Sequence, residues 1–330
     1  MRPSEDELIA TLFAPIAGPG GLALRDDAAL IIPTPGHDLV VTKDMLVAGV
    51  HFFAGDPPDA IARKALRGNL SDLAAKGAKP LGFCLGIALP TDWTHDWRRA
   101  FAQGLGDDAK TFGCVLLGGD TVGMPGPLTV SITAFGEVPT GRMVPRTGAR
   151  AGDLIYVSGT IGDAALGLRL RLDQREDAGW IGTLDETHAA YLRERYLLPR
   201  PRVGLRNALK AHARAAMDVS DGLVGDLAKM LRLEGLRGIV TVADIPISEA
   251  ARAAIALAPT LLETALTGGD DYEILSAVPA EAESCFEDMA REAGIAVRCI
   301  GVTTIRDAAP AFKDRSGAPL VFAAPRFSHF

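Results

Sequence analysis

The residues best suited to chemistry in this chain are aspartates set beside Gly, Ser or Thr: Asp26, Asp27, Asp44, Asp72, Asp120, Asp218, Asp221, Asp270 and Asp271. Aspartate is short, so the backbone that places the residue also places its carboxylate. Carboxylates at contact distance raise one another's pKa and do not share a site without a cation. Oxygen donors of this kind suit Mg²⁺, which keeps some waters and bridges carboxylates to phosphates. Taken singly, each aspartate reads equally well as a helix cap or turn residue, and Asp221, just before Gly222, is placed to cap a helix. As a set they point to divalent-ion and phosphate chemistry.

The elements that must position them alternate between strand and helix. Residues 39–42 are short and β-branched, as a strand would be. Residues 59–76 repeat apolar positions at three- and four-residue steps, which predicts a helix, and Gly77 supplies its stop. Residues 81–89 read as a buried strand, 96–112 as a helix, 115–117 and 128–138 as strands. Residues 139–152 are rich in Pro, Gly and Arg without periodicity and read as a boundary or a long functional loop. Beyond it, strands are expected at 153–158, 215–219, 272–278 and 296–302, and helices at 162–172, 202–213, 222–233 and 281–293. Residues 171–187 are polar and read as a surface connection. The pattern predicts two α/β or α+β domains, residues 1–140 and 150–330. Ser220-Asp221-Gly222 and Gly119-Asp120-Thr121 both follow apolar strands, and strand ends are where α/β sheets take ligands.

Composition narrows the choices. Of the 330 residues 48% are hydrophobic and 23% charged, and the net charge is -7. That is ordinary globular composition, and its acidity argues against a nucleic-acid partner. Cys84, Cys114, Cys285 and Cys299 form neither a C-x-x-C pair nor a zinc-like spacing, so a reduced, cytoplasmic protein is expected. The N-terminus carries acids where a signal peptide carries a basic stretch. The apolar run 81–90 is shorter than the ~20 residues of a membrane helix, so no membrane insertion is expected. There is no Gly-Lys dipeptide for a P-loop, no His-Arg-Asp triplet and no Gly-x-Ser-x-Gly elbow. Gly18-Pro19-Gly20-Gly21-Leu22-Ala23 nominally fits a dinucleotide fingerprint, but Pro19 and the lack of a preceding strand make it a turn. Carboxylates, glycines and a few arginines remain, which suits phosphoryl transfer by positioning and charge neutralisation.

Read in order, the motifs form a pattern. They are Asp26-Asp27, Thr42-Lys43-Asp44 continuing to His51-Phe52, Asn69-Leu70-Ser71-Asp72, Gly118-Gly119-Asp120-Thr121, Arg146 with Asp153, Asp218-Val219-Ser220-Asp221-Gly222, and Gly268-Gly269-Asp270-Asp271-Tyr272-Glu273. The set resembles the thiamine-monophosphate kinase family, within the superfamily that includes aminoimidazole ribonucleotide synthetase. Residues 44–52 are the most diagnostic for the kinase branch. The resemblance implies ATP- and Mg²⁺-dependent transfer of the γ-phosphoryl group to thiamine monophosphate, giving thiamine diphosphate. It implies Mg²⁺ ligands at Asp27, Thr42, Asp44, Asp72, Asp120, Asp218 and Asp221. It implies ATP contacts at Gly119, Asp120, Arg146 and Ser220, with Asp120 and Arg146 catalytic. Substrate contacts are implied at His51 and Asp270, with Phe322 as an aromatic against thiamine. It also implies a homodimer built on the N-terminal domain, which binds ATP and Mg²⁺, and a C-terminal α/β domain that completes the site. Arg25, Lys43 and Asp270 depart from the family's usual Gly, Thr and Glu.

The chemistry is self-consistent. A phosphate monoester is mostly dianionic at neutral pH, its second pKa being ~6, and needs no general base. Its difficulty is repulsion from ATP, which divalent ions and Arg146 would offset. A thiazolium cation suits Asp270 and an aromatic face. The alternatives are another ATP-dependent synthetase of the superfamily, or a non-catalytic nucleotide-binding protein on the same fold.

Overall fold

In the computed structural model, which describes residues 5–306 and 308–322, the first sheet has the order β1-β4-β2-β3. Its strands are β1 (His37–Val47), β2 (Lys79–Leu89), β3 (Val115–Gly123) and β4 (Thr129–Pro139). β4 pairs antiparallel with both β1 and β2, and β2 pairs parallel with β3. Side chains alternate across a strand, and the register sorts them here. Thr42, Asp44 and Leu46 stand opposite Ala134, Ile132 and Val130, which in turn stand opposite Phe83, Leu85 and Ile87. Those β4 and β2 residues are buried, so Thr42 and Asp44 lie on the covered face. Val41, Lys43 and Met45 therefore face the other way and are exposed.

The helix Pro58–Ala75 buries the stripe Ile61, Ala65, Leu66, Leu70 and Leu73, the helical spacing expected of a core face. The helix His95–Phe112 starts at the Thr94 cap, whose side chain accepts from Trp97 N, and ends at Gly113 in the left-handed conformation. A forked ion pair ties the two helices: Arg67 Nε and Nη2 meet both oxygens of buried Asp108, at 2.6 and 2.9 Å.

The chain forms two compact units, residues 1–73 with 78–143, and residues 74–77 with 144–330. The second holds a seven-stranded sheet, β11-β10-β7-β9-β5-β8-β6, made of β5 (Leu154–Ser158), β6 (Ala215–Val219), β7 (Leu236–Thr241), β8 (Glu273–Val278), β9 (Val297–Ile305), β10 (Ala311–Lys313) and β11 (Pro319–Leu320). Only β7 with β10 is parallel. Alternation again distributes the core. Ile155 and Val157 of β5 join Leu223, Leu227 and Leu231 of the helix Leu223–Arg232. Tyr156, between them, joins Phe286 and Ala290 of the helix Glu283–Glu292. Both faces of the sheet are thus covered, and β6 and β8 are buried along their whole length.

The stretch 171–187 corrects the sequence reading. It carries two short helical segments, and Trp180 and Leu184 sink into a third core cluster with Leu166, Leu192 and Ala254. Asp177 makes this possible, accepting the Trp180 indole N–H and an Arg169 N–H, each at 2.9 Å. The helix Glu186–Leu197 was not legible either, because its inward face includes Arg195 beside Ala189, Leu192 and Tyr196.

Candidate active site

Asp26, Asp27, Gly119 and Asp120 line one cleft of about 280 Å³ in the first unit. Gly119 and Asp120 sit in the half of β3 that emerges to solvent, beyond the buried Leu116 and Leu117. β3 runs so close to β2 that a Cβ on Gly119 would run into the carbonyl oxygen of Leu85, so only glycine fits. Asp26 and Asp27 follow a turn in which Leu22, Ala23 and Leu24 have φ of 50, 58 and 54°. The left-handed region costs an L-residue roughly 1–2 kcal/mol, and here the strain falls on the wall of the cleft, which Leu24 lines. The nominal fingerprint at Gly18–Ala23 runs through this turn, where the backbone at Leu22 and Ala23 is left-handed and not helical.

On the covered face of the same sheet, the Thr42 hydroxyl donates to Asp72, which the helix Pro58–Ala75 presents. Asp44 is nearby: burial and the Asp72 charge push its pKa up to about 6, against a smaller opposing pull from Lys43. Two carboxylates and a hydroxyl in one partly desolvated place are an all-oxygen donor set whose repulsion a hard divalent ion would relieve, so the residues fit Mg²⁺. Lys43 is not one of these donors: its ammonium crosses the exposed face to Ser131 Oγ at 2.5 Å. Among the described residues no three His, Cys, Asp or Glu side chains are gathered as a metal-binding group; the carboxylates of this face meet as a pair. His51 follows β1, and its Nδ1 accepts the Val47 N–H at 3.1 Å. That bond places the ring proton on Nε2.

In the second unit, Asp218 is a buried residue of β6, and the chain then turns through Ser220, Asp221 and Gly222. Asp221 does not cap the following helix: the cap position is Gly222, with φ 103°. The turn is organised instead by Asp226, whose Oδ2 accepts the N–H of Ser220 at 3.1 Å and of Asp221 at 2.9 Å. Lys229 bridges the carboxylates of Asp221 and Asp226. Against this turn lies the Gly268–Tyr272 segment. Asp270 N donates to Ser220 O and Tyr272 N to Val219 O, each at 2.9 Å. A Cβ on Gly269 would strike Ser220 O. Asp270 and Tyr272 are held at φ 72 and 52°.

Buried charges support that segment. Asp271 accepts the N–H of Gly162 at 2.6 Å and of Ala164 at 3.2 Å, and burial pushes its carboxyl well above the usual range. Glu273 is fully buried and meets Arg195, Arg202 and the Ser158 hydroxyl. Arg146 is exposed on a loop pinned to β6 by the bond from Ala216 N to Pro145 O, 2.9 Å. Phe322 is half-buried, edge-on to Phe312 with ring centroids 5.2 Å apart. Asp226, Lys229, Arg195, Arg202 and Glu273 were not singled out as positioning groups from sequence. For Asp226, Lys229 and Arg195 the only signal was charge on helices that the site motifs do not include.

Residues 25–138 match the AIR synthase related protein N-terminal domain, and residues 150–309 match its C-terminal domain. Thiamine-monophosphate kinase of Caulobacter vibrioides is 45% identical over 304 residues, covering 91% of this chain and 84% of the relative. Among solved structures, thiamine-monophosphate kinase from Stenotrophomonas maltophilia aligns with TM-score 0.79 at 37% identity, covering 90% of this chain and 91% of that one. AaThiL complexed with AMPPCP and TMP aligns with TM-score 0.77 at 26% identity, covering 99% and 94%. With both halves matched and identity this high over most of its length, the chain belongs to the AIR synthase related family and, within it, to the thiamine-monophosphate kinases.

Proposed function

We propose that this protein is an ATP-dependent phosphotransferase that converts thiamine monophosphate to thiamine diphosphate, the last step in making that coenzyme. Its relatives carry that activity in their names, and one solved neighbour is complexed with AMPPCP and TMP. The observation in this chain that carries the reading is the cleft where Asp26, Asp27, Gly119 and Asp120 converge.

The acceptor needs no deprotonation, because its phosphate is mostly dianionic at neutral pH. The chain's work is therefore to bind, orient and offset charge. Asp27, Thr42, Asp44, Asp72 and Asp120 of the first unit, and Asp218 and Asp221 of the second, are the oxygen groups that would hold Mg²⁺. When bound, Mg²⁺ supplies the positive charge that lets two phosphates approach. Gly119, which lines the cleft, offers its strand backbone to phosphate, with Ser220 and Arg146 as the other nucleotide contacts. Arg146 also offers a guanidinium to the charge developing on the transferred group. His51 Nε2–H donates to the substrate, Asp270 faces its thiazolium, and Phe322 lends an aromatic surface.

The first unit carries Gly119, Asp120 and the dimer surface; the second adds Arg146, Ser220 and the remaining ligands. The dimer reading rests on β1, an edge strand whose outer face exposes Leu39, Val41 and Met45 at 42, 56 and 53%. Such an apolar row on an open edge invites a second copy. No helix among the described residues is long and apolar enough to cross a membrane, and the four cysteines are free; both suit a cytoplasmic enzyme.

The test is a chromatographic assay with Mg-ATP and thiamine monophosphate, quantifying thiamine diphosphate and ADP together beside an EDTA control. Equal yields of both, abolished by EDTA, are expected. ADP without thiamine diphosphate, or neither product, would overturn the reading.

A further inference from the structure

The helix Leu223–Arg232 sends two charged side chains back to the turn that precedes it. Asp226 and Lys229 are three residues apart and share a helix face. Asp226, fully buried, spends one carboxylate oxygen on the N–H groups of Ser220 and Asp221. Its other oxygen takes the Lys229 ammonium at 2.9 Å, and that ammonium also bonds the Asp221 carboxylate. The two groups act differently. The buried acid orders the backbone of the turn and anchors the ammonium, and the ammonium neutralises the outward acid.

An ion pair between two mobile surface side chains contributes little. This one is different because Asp226 fixes the ammonium before Asp221 meets it. Asp221 thus already has a cation at contact distance. A divalent ion approaching the same carboxylate meets reduced negative charge and a like charge beside it.

We propose that Lys229 is a resident counter-cation for Asp221, holding that carboxylate in place while weakening its grip on a divalent ion. The proposal rests on the reading above that Asp221 is an ion ligand. Lys229 is then a positioning residue that also sets ion affinity. In the protein without nucleotide, capture of the ion at this turn is held back. A purely structural lysine predicts the opposite sign, since losing it would loosen the turn and weaken ion binding.

The experiment is a Mn²⁺ titration of nucleotide-free protein, following the EPR signal of the free ion. It compares wild type with Lys229→Gln, Lys229→Met, Lys229→Arg and Asp221→Asn, and with the Lys229→Gln/Asp221→Asn double variant. Thermal melting checks that each is folded. Either neutral variant at Lys229 is expected to bind Mn²⁺ about fivefold more tightly, the scale of a partly exposed ion pair. Lys229→Arg should match wild type, and Asp221→Asn should bind more weakly. Adding Lys229→Gln to Asp221→Asn should change nothing further. If neither neutral variant tightens binding while Asp221→Asn weakens it, the counter-cation role is overturned and the ion-ligand reading stands. If Asp221→Asn leaves Mn²⁺ binding unchanged, both fall.

Discussion

The Thr42 hydroxyl donates to the Asp72 carboxylate across thirty positions of sequence, joining the edge strand of the first sheet to the helix packed on it. That bond fixes the direction in which Asp72 faces Asp44, and so makes the pair's repulsion part of the fold. The consequences are measurable.

Asp44 has a pKa raised from 3.8 to about 6, chiefly by burial and then by Asp72. A raised carboxyl favours the protonated folded state, so its contribution to stability is full below about pH 3.8 and is lost as pH rises through about 6. In metal-free protein, Asp44→Asn should therefore be more stable than wild type at pH 7.5, by about 3 kcal/mol, and show no advantage at pH 3.5. Urea melts at the two pH values measure this. Equal gains at both would contradict the assignment.

Asp120 lines the cleft at the solvent-facing end of β3 and is exposed, so Asp120→Asn should fold and melt like wild type. It should lower kcat by about 10²–10³, the scale of losing a group that stabilises transition-state charge. Turnover close to wild type would remove Asp120 from the machinery.

His51 has its Nδ1 held by the Val47 N–H, and the proposed function gives its Nε2–H to the substrate. His51→Ala should raise KM for thiamine monophosphate about tenfold, the value of one hydrogen bond to a charged group, with KM for ATP little changed. A rise confined to ATP would reverse the assignment.

Glu273 is a carboxylate shared by Arg195 and Arg202, of which Arg195 is 1% exposed. Glu273→Gln keeps the shape but leaves buried Arg195 only the more distant Asp163 carboxylate, at 3.9 Å, and should cost about 3–5 kcal/mol. Chemical denaturation of the variant reads this directly. A loss under 1 kcal/mol would show that the network contributes little.

How much was legible in sequence can be judged from particular elements. The helix expected at 59–76 is observed at Pro58–Ala75 because its apolar stripe carries the signal locally. The strand expected at 39–42 runs on to Val47, and the one expected at 115–117 runs on to Gly123. In both, the continuation, which begins with Lys43-Asp44 in one and Gly118-Gly119-Asp120 in the other, is held by a ladder to a neighbouring strand, and pairing overrides local propensity. The helix Glu186–Leu197 was missed because a buried arginine breaks its apolar face.

For the candidate site, the residue types, their order and the motif spacing are properties of the chain alone, and so is the family they point to. Strong turn formers such as Gly222 and short apolar runs mark where each carboxylate leaves the backbone, because those signals are local. Only the tertiary structure decided which carboxylates meet. Strand register put Thr42 and Asp44 on the covered face and Lys43 on the other. Helix packing brought Asp72 to Thr42. The fold of one helix back on its own turn gave Asp221 its lysine. Each of these depends on residues far apart in the chain or on which side of an element is buried, and neither is written in a local pattern.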